Sequence, residues 1–255
     1  MKSFNIFLLL ELFTASTFAQ TVSLPPYYGV QKKPDFICGV STVTDYLGNV
    51  YNTVKIGDQC WLKENLRSTK YNDGTNIPNV TDGTTWEGLT TPAYCWYDNS
   101  YVAYGSVYGA LYNWHTVNTG KLCPIGWHVP SDNEWNVMEL YLIANGYNYD
   151  STFIENEIAK ALSATTMWAV AINPGCPGNT DYPEYRNKTG FTALPGGNRF
   201  KNGIFGNAAN YGIWWTSTPQ DSDSSWAKLI YTNSVDVGVS VFNNNFGFSV
   251  RCIKD

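Results

Sequence analysis

Six cysteines carry the most evident chemistry of this 255-residue chain. They are Cys38, Cys60, Cys95, Cys123, Cys176 and Cys252. An even number of cysteines suits disulfide bonds, which form and persist in exported proteins. No two of them are spaced as CxxC and the chain has only two histidines, so the usual ligands of a zinc site are missing. The cysteines therefore predict a disulfide-stapled domain and no metal centre.

The two histidines, His115 and His128, are poor candidates for catalysis. His128 lies beside Trp127 in an apolar stretch, which favours a hydrogen-bonded core residue over a general base. Glu134 and Glu139 are five residues apart in a predicted helix, so their carboxylates diverge and do not form an acid–base pair. No GxSxG sequence marks a nucleophile elbow. We predict no catalytic residue and no enzymatic activity.

Calcium is the one metal ion that the sequence leaves as a possible ligand. Several aspartates lie in loops rich in Asn and Ser, which supply hard oxygen ligands. They are Asp73, Asp82, Asp98, Asp221 and Asp223. No stretch has the position pattern of an EF-hand, and Asp and Asn are also common turn formers. We therefore expect no cofactor, with calcium as the alternative.

Aromatic residues are the better indication of function. They make up 16% of the chain, and many of them fall in loops rich in Gly, Asn and Ser. Such rings stack on sugars or anchor protein partners, although they could equally complete a core that is poor in aliphatic residues. Trp214 and Trp215 are adjacent in a predicted strand, so one is expected to enter the core and the other to stay at the surface or under a loop. The candidate ligand-binding residues are Trp86, Tyr97, Tyr101, Tyr104, Tyr211, Trp214 and Arg199.

The stretch Leu122–Leu140 is predicted to organise the rest of the chain. Ser131 is a good N-cap, and Glu134 is placed to reach back to the cap amide, which completes a capping box. A bend at Gly126-Trp127 buries the indole. The helix that follows turns one face inward, consisting of Trp135, Met138 and Leu142, and leaves Glu139 off that face. Gly146 is a plausible C-terminal stop.

Other segments have shorter patterns. Val40–Ile56 alternates apolar and polar residues around Gly48, which predicts a hairpin, and Cys60–Leu66 fits a short helical turn. Phe153–Ala164 has apolar residues at helical spacing, which predicts a second amphipathic helix. From Thr189 onward the chain consists of turns and strands. Helices in the middle with antiparallel strands at both ends predict an α+β domain.

Residues 1–19 resemble a secretory signal peptide. Lys2 precedes a short apolar core, and Thr17-Phe18-Ala19 fits a cleavage site. Residues 20–35 are interpreted as a leader or linker, and residues 36–255 as a single domain. The net charge of −5 and the absence of a basic patch argue against nucleic acid as a partner. No later stretch is apolar for long enough to predict a membrane span, and the oligomeric state is left open.

A succession of motifs identifies a family. In order, these are QCWLKENLRSTKYNDG, YCWYD, YGALYNW, LCPIGWHVPSDNEW, GFTALPGGNR, WWTST and FSVRCIKD. Over roughly residues 38–255 the chain resembles the Fibrobacter succinogenes major paralogous domain, a module of exported bacterial proteins with no established activity. More distantly, it is similar to the formylglycine-generating-enzyme branch of the C-type-lectin-like fold. That resemblance implies two helices flanking a twisted antiparallel sheet, long loops, and both ends of the domain in one sheet.

The resemblance also implies a cysteine pairing. In C-type-lectin-like domains the last strand is commonly tied back to the first helical region, which implies Cys123–Cys252. The other four cysteines are then assigned as Cys60–Cys95 and Cys38–Cys176, among the fifteen connectivities that six cysteines allow. An oxidase related to the formylglycine-generating enzyme is disfavoured, since that chemistry needs a closely spaced pair of reactive thiols and a shared fold does not transmit function.

These observations lead to one functional expectation and two alternatives. We expect an exported, non-enzymatic binding or adhesion-like module that is secreted, periplasmic or on the cell surface. Its ligand would be a glycan or a protein that meets the loops Tyr71–Leu89, Asp98–Tyr104 and Gly197–Tyr211. The first alternative is a structural extracellular domain without a small ligand, and the least favoured is an oxidoreductase.

Overall fold

Short strands predominate in the computed structural model, which describes residues 35–255. The strands of this range are β1 (Val43–Thr44), β2 (Val50–Tyr51), β3 (Thr53–Ile56), β4 (Gln59–Leu62), β5 (Tyr94–Cys95), β6 (Leu111–Tyr112), β7 (Trp127–His128), β8 (Asn198–Arg199), β9 (Phe205–Gly206), β10 (Tyr211–Pro219), β11 (Ser224–Tyr231), β12 (Val237–Asn243) and β13 (Ile253–Lys254). The signal-peptide prediction and nearly all of the predicted linker lie outside the described residues.

The helices of the described range are short, with one exception. They are α1 (Gly83–Glu87), α2 (Ser106–Tyr108), α3 (Trp114–Val117), α4 (Asp132–Ala144) and α5 (Ala159–Leu162), with single 3₁₀ turns at Tyr97–Asn99 and Pro183–Tyr185 and a π-helical turn at Tyr101–Gly105. None of these helices is long and apolar enough to cross a membrane. Helices combined with antiparallel sheets make this part of the chain α+β, as the sequence predicted.

Helix α4 begins at the predicted capping box. The Ser131 hydroxyl accepts a hydrogen bond from the backbone N–H of Glu134 at 3.2 Å, and the Glu134 carboxylate accepts one from the backbone N–H of Ser131 at 2.8 Å. Gly146, just past the helix end, has a φ of +74°, which favours glycine at this position. The predicted inner face is buried, namely Trp135, Met138 and Leu142. Both ends of the helix therefore follow from local sequence.

Glu139 is buried as well, which corrects the prediction that it lies off the inner face. Lys228 of β11 reaches α4 from the sheet, and its ammonium lies 3.0 Å from the Glu139 carboxylate and 3.1 Å from that of Asp132. Burial raises the pKa of Glu139, while Lys228 opposes that rise. The helix therefore contacts the sheet through an ion pair in addition to its apolar face.

Strands β10, β11 and β12 form an antiparallel sheet that is covered on both faces. On one face, Trp214 packs toward α4, with its ring 6.1 Å from that of Trp135. On the other face, the ring of Trp215 lies 4.5 Å from that of Phe248. Because neighbouring residues of a strand point to opposite faces, both tryptophans are buried. Of the two alternatives for the second tryptophan, exposure is wrong, and Trp215 is covered by the segment that contains Phe248.

The last strand lies inside a four-stranded sheet of order β3–β4–β13–β7. Ile253 of β13 pairs with Trp61 on one side and with His128 on the other. The neighbouring disulfide joins Cys123 to Cys252 with Cα atoms 6.0 Å apart, which confirms the pairing that the resemblance implied. In the chain-entropy model, closing a loop of this length stabilises the fold by about 5 kcal/mol.

The second disulfide joins Cys38 to Cys60, so the predicted pairs Cys60–Cys95 and Cys38–Cys176 are wrong. The backbone N–H of Gly39 donates to the Thr53 hydroxyl, and this bond brings the start of the domain beside β3 and β4. Cys95 and Cys176 are unpaired and buried in different places. Cys95 belongs to a small cluster with Trp86, whereas Cys176 lies in the loop after Asn173.

Two helical predictions also fail. The Cys60–Leu66 segment begins as strand β4, because its backbone pairs with β3 and β13. In the Phe153–Ala164 segment only α5 is helical. The buried Asn148 carboxamide donates to the carbonyls of Thr152 and Glu155 and accepts from the backbone N–H of Glu157, so it binds the backbone groups that a helix would need.

The cysteine arrangement predicts how many thiols react in the folded protein and how many react after unfolding. Burial raises the pKa of Cys95 to about 12, so its reactive thiolate is scarce at neutral pH. We expect Ellman's reagent to detect almost no thiol in the folded protein and two per chain in denaturant. Non-reducing peptide mapping of the same sample should recover Cys123–Cys252 and Cys38–Cys60. A peptide that joins Cys95 to Cys60 or Cys176 to Cys38 would contradict the structure.

Candidate functional site

The hairpin Asn198–Gly206, formed by β8 and β9, is fixed by a buried arginine. The Arg199 guanidinium lies between two rings, 4.4 Å from the centroid of Trp86 and 4.8 Å from that of Phe205. It donates hydrogen bonds at 2.6–2.9 Å to three backbone carbonyls, those of Val80, Thr81 and Gly203. Arg199 is only 1% exposed, which corrects its prediction as a ligand-binding residue. The N–H groups of Arg199 therefore bind backbone carbonyls of loop segments, which are not bonded within a sheet.

Trp86 and Trp214 are likewise structural, which corrects their prediction as ligand-binding residues. The Trp86 side chain is fully buried and its indole N–H donates to the carbonyl of Asn245 at 2.7 Å. The Trp214 indole donates to the Asn65 side chain at 2.8 Å. Both indoles lie under neighbouring segments of the loop-rich core, and neither ring face is open to a ligand.

Three of the predicted residues lie in the segment 97–104 on one side of the hairpin, where Tyr101 packs on Trp96 and the other two contact each other. Tyr97 and Tyr104 have ring centroids 5.0 Å apart, and Tyr104 stacks on Tyr108 at 6.4 Å. Tyr101 is 47% exposed, and Tyr97 lies 5.4 Å from the hairpin residue Phe205. We call the group formed by Tyr97, Tyr101, Tyr104 and Tyr108 the tyrosine surface.

A close-packed turn shapes the tyrosine surface. The Ser100 hydroxyl accepts from the backbone N–H of Ala103 and starts the π-helical turn. A Cβ on Gly105 would lie 2.5 Å from the Trp96 indole, so this position requires glycine. Val102 at the tip is 87% exposed, and Asp98 is the one charged residue of the segment 97–108. The surface is therefore aromatic and nearly neutral.

Tyr211 lies apart from the other predicted tyrosines, in a cleft on the opposite side of the hairpin. The cleft has a volume of about 240 Å³. Its floor includes the buried residues Ile213 and Phe248, and its walls are half-buried rings and amides. We call it the aromatic cleft, and its lining is Asn198, Phe200, Asn207, Tyr211, Ile213, Leu229, Phe242, Phe246 and Phe248.

Two amides supply the polar groups of the aromatic cleft. The Asn198 carbonyl oxygen accepts a hydrogen bond from the Asn207 amide at 2.7 Å. Within residues 35–255, the Asn198 Nδ2 and the Asn207 Oδ1 have no further hydrogen-bond partner. Neither atom is one of the buried unpaired side-chain atoms of this range, so both are accessible to solvent in the cleft and free to bind a ligand.

Sequence reasoning missed most of the cleft. Its lining comes from four separated segments, and nothing local connects Asn198 with Phe242. One signal was available, because Tyr211 and Ile213 alternate with Gly212 and Trp214 along β10 and therefore share a face of the strand.

The candidate calcium ligands act as caps and turn formers. The Asp82 carboxylate accepts from the backbone N–H of Thr85 at 2.7 Å, as the N-cap of α1. Asp73 accepts from the backbone of Thr75, and this bond, followed by that to Lys121, lowers its pKa to about 2. In the part of the chain that the structure describes, no group of His, Cys, Asp or Glu residues is arranged to hold a metal ion.

His128 lies between two carboxylates. Its Nε2 is 2.9 Å from Glu134 and its Nδ1 is 2.6 Å from Asp255, so the ring joins the start of α4 to the segment after β13. Burial lowers the pKa of His128, but the two carboxylates outweigh it and raise that pKa above its usual value. His128 is hydrogen-bonded as predicted, but its side chain is 39% exposed, so the prediction that it is a core residue is wrong. His115, the other histidine, lies 3.1 Å from the Asn245 side chain.

The model of the Fibrobacter succinogenes major domain family matches residues 54–254. The matched range includes the tyrosine surface, the aromatic cleft and both members of the Cys123–Cys252 disulfide. No curated protein and no solved structure matches the chain.

The histidine bridge predicts a pH dependence of stability. Since the folded-state pKa of His128 is raised, its contribution is complete below the unfolded value of about 6.5 and is lost as pH rises through the folded-state pKa. We expect the Tm difference between wild type and His128→Gln to be largest near pH 5.5 and smaller at pH 8.5. His115→Gln is the matched control for the loss of an imidazole that has no carboxylate partner in the structure. A wild-type advantage that grows toward high pH would contradict the bridge.

Proposed function

The chain belongs to the Fibrobacter succinogenes major domain family, and we propose that it is an exported, non-enzymatic module that binds a glycan. The observation that carries the proposal is the placement of two groups of partly exposed aromatic rings on either side of one arginine-fixed hairpin. Rings held by packing lose little conformational freedom on binding, so they make efficient anchors. The tyrosine surface and the aromatic cleft would together contact the ligand.

A glycan suits these rings better than a charged partner does. Sugar rings present C–H faces that pack on aromatic faces, and their hydroxyls need hydrogen-bonding groups nearby. The tyrosine surface supplies phenol hydroxyls, which can both donate and accept hydrogen bonds. The exposed Val102 beside them is the feature that would favour a protein partner instead.

Export is supported by the cysteines and by the leader pattern. Two disulfides require an oxidising compartment, such as the periplasm or the cell exterior. Residues 1–19 have the composition of a secretory signal. We therefore propose a secreted, periplasmic or cell-surface location.

We also propose that the fold is C-type-lectin-like. The support is the position of β13 between β4 and β7, with Cys252 bound to Cys123 just before α4. Strands β3 and β4, near the start of the domain, thus share a sheet with its last strand, and the disulfide ties that strand to the segment that precedes α4. The competing class, a structural extracellular domain without a small ligand, would share this architecture and lack ligand binding.

The test is a glycan array probed with the exported protein and two variants of the tyrosine surface. Tyr101→Ala and Tyr104→Ala each remove one ring, and we expect each to weaken binding about tenfold, as a lost aromatic anchor does. Tyr46→Ala is the matched control, because Tyr46 is 59% exposed and lies outside the tyrosine surface and the aromatic cleft. Its binding should match wild type.

Two results would count against the proposal. Equal binding by wild type, Tyr101→Ala and Tyr104→Ala would remove the tyrosine surface from the ligand site. No binding to any glycan, combined with a direct interaction with a protein of the same cell envelope, would favour a protein partner.

A further inference from the structure

We propose that the aromatic cleft holds one uncharged pyranose ring, whose neighbouring hydroxyls bind the amides of Asn198 and Asn207. This inference rests on the proposed glycan-binding function and specifies one subsite of it. It concerns the opposite side of the hairpin from the tyrosine surface, so the two sites can be tested separately.

The size of the cleft limits its occupant. Sites that bury drug-sized ligands have volumes of about 300–1,000 Å³, and this cleft has about 240 Å³. It therefore has room for a single six-membered ring of a longer chain. The rest of a glycan would continue outward past the half-buried walls.

The lining indicates an uncharged occupant. Every lining residue is aromatic, aliphatic or an amide, and none carries a formal charge. A carboxylate or phosphate in the cleft would lose water without gaining a cation, which is costly. Uronic acids and phosphorylated sugars are therefore disfavoured, and neutral hexoses or pentoses are favoured.

The amide pair distinguishes a sugar from an apolar ring. The Asn198 Nδ2 is a donor and the Asn207 Oδ1 an acceptor, and neither has a partner among the described residues. A sugar hydroxyl both donates and accepts, so two adjacent hydroxyls complete the donor and the acceptor together. An aromatic side chain of a protein would fill the apolar walls but leave both amide groups unsatisfied, which costs binding free energy.

The amides are held in place before a ligand arrives. Asn207 has a φ of +67°, and its carbonyl accepts from the backbone N–H groups of Asn210 and Tyr211. A Cβ on Gly197 would lie 2.5 Å from the carbonyl oxygen of Gly206. The backbone just before Asn198 therefore approaches β9 so closely that only glycine fits. A fixed donor–acceptor pair loses little freedom on binding, which suits recognition of hydroxyl geometry.

The experiment measures binding of methyl pyranosides to the exported protein. The probes are the methyl glycosides of glucose, galactose, mannose and xylose, read by saturation-transfer NMR and by titration of the Asn side-chain amide signals. Asn207→Gly removes the amide while keeping a residue that accepts positive φ. Leu229→Phe fills the cleft from a half-buried wall position.

We expect at least one methyl pyranoside to bind wild type and to shift the Asn198 and Asn207 amide signals. Asn207→Gly should weaken that binding about tenfold and Leu229→Phe should abolish it. Tyr46→Ala is the matched control, because Tyr46 lies outside both proposed sites, and it should leave binding of a single pyranoside unchanged. Near-UV circular dichroism and Tm confirm that each variant is folded, and the amide titration of wild type tests the site even where a variant fails to fold.

The outcomes separate this inference from the proposed function. Array binding that is lost in Tyr101→Ala and Tyr104→Ala but retained in Asn207→Gly and Leu229→Phe overturns the cleft and leaves the function. A cleft that binds N-acetylphenylalaninamide and no pyranoside overturns the inference in favour of a peptide side chain. Absence of any glycan binding overturns both.

Discussion

The fold depends on the segment Gly247–Ile253, which passes between the two main apolar clusters of the protein. Phe248, Val250 and Cys252 enter one cluster and Ile253 enters the other. Between them the fully buried Arg251 donates to the carbonyls of Leu62, Lys63 and Phe191 and to the side chain of Asn65. Burial lowers the pKa of Arg251 to about 9, so the side chain remains charged at neutral pH. The Arg251 side chain thus connects the end of β4 and the backbone at Phe191 with the segment that leads into β13.

Buried cations solve a general problem of this architecture. Its strands are short and its connections long, so many backbone carbonyls have no partner in a sheet or helix. A guanidinium has five N–H donors in a rigid arrangement and can satisfy several carbonyls at once. Arg199 does this for the hairpin and Arg251 for the backbone at the end of β4, while the buried Lys160 donates to the carbonyls of Asn179 and Asp181. Arg199, Arg251 and Lys160 stabilise the fold in this way, and because they are buried they are not open to a ligand.

The sequence predicts best where the signal is local. The capping box at Ser131 and Glu134 needs only neighbouring residues, and the tyrosines of the 97–108 segment meet because they lie close together in the chain. The Cys123–Cys252 bond was implied by resemblance to a family. The burial of Trp86, Trp214 and Arg199 could not be predicted, since it depends on segments more than a hundred residues away along the chain. The cleft was missed for the same reason, because its walls meet only in the folded protein.

The order of the four-stranded sheet has a consequence for how the chain reaches its native state. Strands β4 and β7 are both made before β13, yet they do not pair with each other and belong to one sheet only through β13. The four-stranded sheet therefore cannot be completed before β13 has been synthesised, because β13 lies between β4 and β7. Until β13 pairs with them, β4 and β7 each have an unpaired edge, which makes the incomplete fold prone to aggregation. Pairing of β13 thus joins β3 and β4 to β7 at a late stage of folding.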